Sequence, residues 1–92
     1  MSYRIVYTPS YNRRAAKFLK KHPELYSQYE KALKLLEVNP YHPSLRLHRL
    51  KGVLNSLCSI SINLSYRITL EIIIQDEQLI LVDIGGHDDI YR

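Results

Sequence analysis

Four side chains of this protein have the chemistry to cut RNA without a metal: His48, Arg67, His87 and Tyr91. In that reaction a ribose 2′-OH attacks the neighbouring phosphorus. A base takes the 2′ proton, an acid protonates the departing 5′-oxygen, and positive charge offsets what builds on the phosphoryl oxygens. Histidine suits both proton roles because its ordinary pKa lies near 6.5. Arginine grips a phosphate through two parallel N–H donors. Tyrosine stacks on a base, a contact worth about 1–3 kcal/mol, enough to position a nucleotide but no substitute for an acid.

Each of these residues also has a plainer explanation. His48 lies in an alternating Leu47-His48-Arg49-Leu50 stretch, as an exposed strand histidine would. Arg67 could pair with Glu71 across a sheet, and Tyr91 could pin down a chain end. His22 and His42 sit beside prolines and read as surface. Cys58 reads as a small core residue, and as the single cysteine it forms no internal disulfide. His87-Asp88-Asp89 is not a metal-ligand spacing, because adjacent side chains need not converge. Asp88 or Asp89 could instead orient His87.

Ninety-two residues fit one domain spanning 1–92. With 46% hydrophobic and 24% charged residues the chain is globular rather than disordered. No apolar run approaches the roughly 20 residues of a membrane helix, and Met1-Ser2-Tyr3-Arg4 opens no signal peptide, so a cytoplasmic protein is the expectation. The net charge of +4 is unevenly spread. Residues 1–51 hold eleven basic and three acidic side chains, residues 52–92 two basic and six acidic. The basic half attracts phosphate backbones and acidic proteins alike. Its candidate RNA-binding footprint is Arg13, Lys17, Lys20 and Lys21, joined by Arg46, Arg49 and Lys51. The bland reading of the same residues is a solvated face.

The elements that must position these groups follow from periodicity. Tyr3, Ile5 and Tyr7 alternate as in a strand. Thr8-Pro9 reads as an N-cap followed by proline at the first helical position. Tyr11, Ala15, Phe18 and Leu19 then form one helical face, and the basic stripe forms another. Pro23 opens a second helix with a buried stripe of Leu25, Tyr29, Ala32, Leu33 and Leu36, ended by Asn39-Pro40. Beyond Gly52 the period becomes two. Cys58, Ile60, Ile62 and Leu64 face one way, and Tyr66, Ile68, Leu70, Ile72 and Ile74 repeat the pattern. Gln75 to Gln78 is a polar turn, and Leu79 to Ile84 reads as a central strand that stops at Gly85-Gly86, where the glycines permit a sharp turn. The expected class is α+β: an N-terminal strand, then an antiparallel helix pair on one face of a mainly antiparallel twisted sheet of about four strands. Ser59, Ser61, Asn63, Arg67 and Thr69 should line the other, partly open face.

This order resembles the RelE/ParE superfamily of type II toxins, and within it the YafQ-like branch. The resemblance rests on the helix pair, then Leu47-His48-x-Leu50-x-Gly52, then Ser65-Tyr66-Arg67-Ile68, then Ile84-Gly85-x-His87-x-x-x-Tyr91. It implies a bacterial toxin whose acidic, partly disordered antitoxin blocks it. RelE and YafQ relatives enter the ribosome and cut mRNA without a metal. ParE relatives share the fold but poison DNA gyrase. On this resemblance His48 and His87 match catalytic histidines of the YafQ pattern, Tyr91 its C-terminal aromatic, and Arg67 the strand arginine set against the scissile phosphate. Ser61 and Ser65 stand where the YafQ pattern has a histidine and an aspartate. Cys58 and Ile60 stand where RelE relatives have lysines.

Overall fold

The computed structural model describes residues 3–52 and 56–86. Strand β1 spans Arg4–Tyr7, helix α1 Pro9–Lys21, helix α2 Tyr26–Val38, and strands β2 to β5 span His48–Arg49, Cys58–Ser61, Tyr66–Ile73 and Gln78–Gly86. Prolines punctuate the helical half. Thr8 is extended and its Oγ1 accepts the Tyr11 N–H at 3.2 Å, while Pro9 occupies the first turn, as its N-cap position requires. Pro23 opens a single 3-10 turn, Pro23–Leu25, before α2 begins, rather than α2 itself. Asn39 leaves α2 in an extended conformation, which is what a following proline imposes.

The sheet has five strands in the order β1-β5-β4-β3-β2, one more than expected. The addition is the two-residue β2, within the alternating Leu47-His48-Arg49-Leu50 stretch. β1 pairs parallel with β5, and the other neighbours are antiparallel. β3 stops at Ser61, short of the Ile62 and Leu64 that periodicity assigns to it. The cause is Asn63. Its Oδ1 accepts the Ser65 and Tyr66 N–H groups at 2.8 and 3.0 Å, and its Nδ2 donates to Gln28 of α2 at 3.2 Å. A side chain that captures two backbone donors makes a turn where the ladder would continue. Leu64 is left 82% exposed at the tip.

Both helices cover the sheet face that carries Ile60, Ile68, Leu70, Leu79, Leu81 and Ile84, all buried with Tyr11, Ala15, Tyr29, Ala32 and Leu36. A bulge helps to keep β5 in this core. Thr69 pairs with Asp83 but Leu70 with Leu81, so Val82 is the extra residue. The shift lets Ile84, Leu81 and Leu79 share one face despite their uneven spacing.

The helices also meet through two phenols. The Tyr11 and Tyr29 hydroxyls lie 3.0 Å apart in the core, and burial pushes both above the ordinary tyrosine pKa. Both groups are therefore neutral at physiological pH. Tyr29→Phe strands the Tyr11 hydroxyl, and the expected cost is about 1–3 kcal/mol. The double change to phenylalanine should recover most of that loss. Urea unfolding midpoints of the two single variants and the double variant measure both effects.

Candidate functional site

β4 is the middle strand, and its alternation divides the protein chemically. Tyr66, Ile68 and Leu70 face the helices. Arg67 and Thr69 face away from them. In an antiparallel sheet, directly paired residues share a face. The pairs His48↔Ser59 and Ser59↔Thr69 therefore form one row on the side away from the helices. Ser61↔Arg67 and Arg67↔Gly85 form the next. His48 and Arg67 are thus on one face, two strands and one row apart, with Cα atoms about 12 Å from each other by ideal sheet spacings.

This face is more enclosed than the periodic pattern suggests. Ser59 is 0%, Thr69 2% and Ser61 7% exposed, and Arg67 is half-buried. Asn63 is absent from it, having been drawn into the turn. Four polar atoms here are buried without a hydrogen-bond partner: Ser59 Oγ, Ser61 Oγ, Thr69 Oγ1 and one terminal nitrogen of Arg67. Leaving such a group unsatisfied costs about 1–3 kcal/mol, more for a charged one. Their concentration around one guanidinium makes an anion-seeking surface. Among the described residues Arg67 forms no ion pair, with Glu71 or with any other carboxylate.

His48 is exposed on β2. Its Nδ1 lies 3.3 Å from the Arg46 carbonyl oxygen. A carbonyl can only accept, so the proton of a neutral ring sits on Nδ1, and Nε2 keeps its lone pair. Arg46 presents this carbonyl from a left-handed conformation with φ 50° and ψ 46°, directly after the 3-10 turn Pro43–Leu45.

Gly85 and Gly86 do not turn the chain. Both are part of β5, opposite Arg67 and Tyr66. Their use here is steric: Gly85 places no side chain beside Arg67 in its row. His87, Tyr91, Asp88 and Asp89 lie outside the described residues.

The basic residues divide between two sides. Arg13, Lys17, Lys20 and Lys21 are exposed on α1, whose opposite side buries Tyr11 and Ala15. They sit on the side of α1 turned away from the core. Arg46, Arg49 and Lys51 are exposed around β2, near His48. Arg49 pairs with Cys58 and so belongs to the opposite sheet face from His48. Ser61 shares Arg67's row.

Two histidines expected at the surface have structural work. His22 is half-buried and stacks with Phe18 and Tyr66, with ring centroids 4.8 and 4.9 Å away. His42 is half-buried too, and its Nδ1 accepts the Ser44 N–H at 3.1 Å, capping the 3-10 turn. The Pro that follows each suggests a loop, but a proline fixes only backbone direction and carries no information about ring packing. Among the described residues no group of three or more His, Cys, Asp or Glu is placed to hold a metal ion. No helix there is long and apolar enough to cross a membrane.

This α+β arrangement is the fold of solved RelE-like toxin structures, which match it along nearly the whole chain. YafQ from E. coli strain BL21(DE3) superposes with a TM-score of 0.79 at 14% identity, covering 98% of this chain and 99% of that one. The E. coli DinJ-YafQ toxin-antitoxin complex gives 0.78 at 16%, covering 100% of both chains. A YoeB/ParE toxin from Agrobacterium tumefaciens gives 0.71 at 14%, covering 91% and 98%. At these identities the likeness shows the fold, that of RelE/ParE-superfamily toxins and of YafQ in particular. No family model matches the chain, and no curated protein matches its sequence.

Cys58 sits half-buried on β3, where the RelE pattern has a lysine. Burial pushes its thiol above the ordinary cysteine value, and Arg49 offsets this only in part. The nucleophilic thiolate is therefore scarcer at neutral pH than for an exposed cysteine. Alkylation by iodoacetamide should be slow at pH 7 and rise with pH along a curve displaced upward from that of a free cysteine. Rates measured from pH 7 to 10 test this, and a fast reaction at pH 7 would mark Cys58 as activated.

Proposed function

We propose that this chain is the toxin of a type II toxin–antitoxin pair and a ribosome-dependent, metal-free endoribonuclease acting on mRNA in the cytoplasm. One observation carries the reading: Arg67, a partly buried guanidinium with no carboxylate partner among the described residues, shares a sheet face with the imidazole of His48. That combination suits a phosphodiester. Arg67 binds the phosphoryl oxygens and offsets their growing charge, since it forms no ion pair among the described residues. His48, as a neutral imidazole, takes the 2′ proton. The acid that protonates the 5′-oxygen falls to His87, and base stacking to Tyr91, on the sequence resemblance alone. Ser61 sits beside Arg67 as a neutral hydroxyl contact to the same phosphate.

The partners follow from the same reading. An acidic antitoxin neutralises the toxin, as the DinJ-YafQ complex supports by its fold and pairing. The ribosome supplies an RNA surface for Arg13, Lys17, Lys20 and Lys21 on the exposed side of α1. Arg46 and Lys51 lie near His48 and meet the substrate strand, while Arg49 faces the other side of the sheet.

Primer extension on mRNA from cells expressing the chain tests the proposal. Ribosome-dependent breaks are expected. His48→Ala should reduce them roughly 10²–10⁴-fold, the usual contribution of a positioned base. Arg67→Ala should lower them by a comparable roughly 10²–10³-fold. The thermal unfolding midpoint should stay unchanged or rise in Arg67→Ala, because the change removes a buried donor that lacks a partner. Intact mRNA together with cleaved-gyrase complexes would replace this reading with a ParE-like one. Collapse of stability in Arg67→Ala would assign Arg67 to the scaffold.

A further inference from the structure

A second concave surface lies at the outer edge of β3, where Ser61, the end of Arg67's row, borders it. It is a groove of about 410 Å³ between α2, the 3-10 turn Pro43–Leu45 and the end of β3. Its floor is apolar, with Leu35, Leu45 and Ile62. Its rim holds Lys31 and His42.

The backbone makes this groove unusual. Ile62 N–H donates to Tyr66 O at 2.9 Å, so strand alternation turns the N–H and C=O of Ser61 toward the outer edge. β2 ends its pairing at His48↔Ser59. The residue that would continue it opposite Ser61 is Arg46, which has turned left-handed and gives its N–H to Pro43 O. The ladder therefore stops one step early, and the edge groups of Ser61 border the groove. Ser61 is also 7% exposed, and its Oγ has no partner. His42 is already oriented: with Nδ1 accepting from Ser44 N–H, a neutral ring carries its proton on Nε2 and offers a donor.

We infer that this groove binds an extended, acidic segment of a partner protein, which adds to the β3 edge at Ser61. The segment's backbone pairs with the Ser61 N–H and C=O, its branched apolar side chains settle on Leu35 and Ile62, and a carboxylate meets Lys31 and His42. This is strand addition with alternate side-chain pockets. The charge of the lining argues for an acidic partner, since it holds Lys31 and His42 and no Asp or Glu. The inference rests on the toxin–antitoxin reading for the source of the segment, the antitoxin, and adds where and how it docks.

An ¹⁵N NMR titration of the full chain with the peptide acetyl-Val-Glu-Val-Glu-Val-amide tests it. Saturable shifts are expected at the amides of Lys31, Leu35, Ser61 and Ile62. Lys31→Glu should weaken binding at least about tenfold and transfer preference to acetyl-Val-Lys-Val-Lys-Val-amide. Ser61→Pro removes the edge donor, a change tolerated on an open strand edge, and should also weaken binding. Absence of saturable shifts at these amides overturns the inference, as do shifts centred on Arg67 and Thr69. Lys31→Glu should leave mRNA cleavage in cells unaltered, and loss of cleavage there would make the groove part of the nucleolytic surface and end the proposal. Peptide binding by a chain that cuts no mRNA would keep the groove while removing the nuclease reading.

Discussion

The alternation of β4 governs the rest of the molecule. Ile68 and Leu70 are fixed in the core by contact with the helices, and that leaves Arg67 and Thr69 no choice of face. A slip of one residue would bury a guanidinium beneath α1 and expose two branched apolar side chains, so the register is strongly specified. Through cross-strand pairing the same constraint reaches outward to Ser59, Ser61 and His48 on one side and to Gly85 on the other. The candidate site is thus the obverse of the hydrophobic core, and the core's packing sets its precision.

That arrangement carries a cost in stability. Three hydroxyls and a guanidinium nitrogen are buried without partners on one small face. A chain selected for stability alone would place apolar or self-satisfied residues there. Unsatisfied polarity concentrated at one location is what a site built to receive something charged displays. The buried Tyr11–Tyr29 pair shows the contrasting solution. There two polar groups satisfy each other and lock α1 to α2 with nothing left to offer a ligand.

The charge asymmetry takes on meaning only in three dimensions. The α1 stripe and the β2 cluster look like one basic half in the sequence, yet they lie on different elements, and within the cluster Arg49 and His48 take opposite sheet faces. One side can hold a large phosphate surface while the other performs chemistry on a single strand. The groove at β3 lies at the sheet edge, and Ser61 belongs both to its lining and to Arg67's row.

Much of this is legible in the order of the residues. The Thr8-Pro9 helix start, the apolar faces of both helices, the α+β class and the placement of Arg67 on the polar face all follow from local periodicity and capping, which a linear pattern encodes directly. The end of β3 at Ser61 does not, because Ile62 and Leu64 continue the alternation and only the capture of backbone donors by Asn63 breaks it. The role of Gly85 and Gly86 is hidden for a related reason: glycine permits a turn but does not compel one, and pairing with β4 holds both extended. The stacking of His22 on Tyr66 joins residues 44 positions apart, a contact no local signal announces. The sequence alone therefore determined which residues lie on which side of each element, since that depends on the helical and strand periods. Tertiary structure decided which sides meet, how deeply Ser59, Ser61 and Thr69 are enclosed, and which edge groups lack a neighbouring strand, because those depend on strand order and on where neighbouring elements stop.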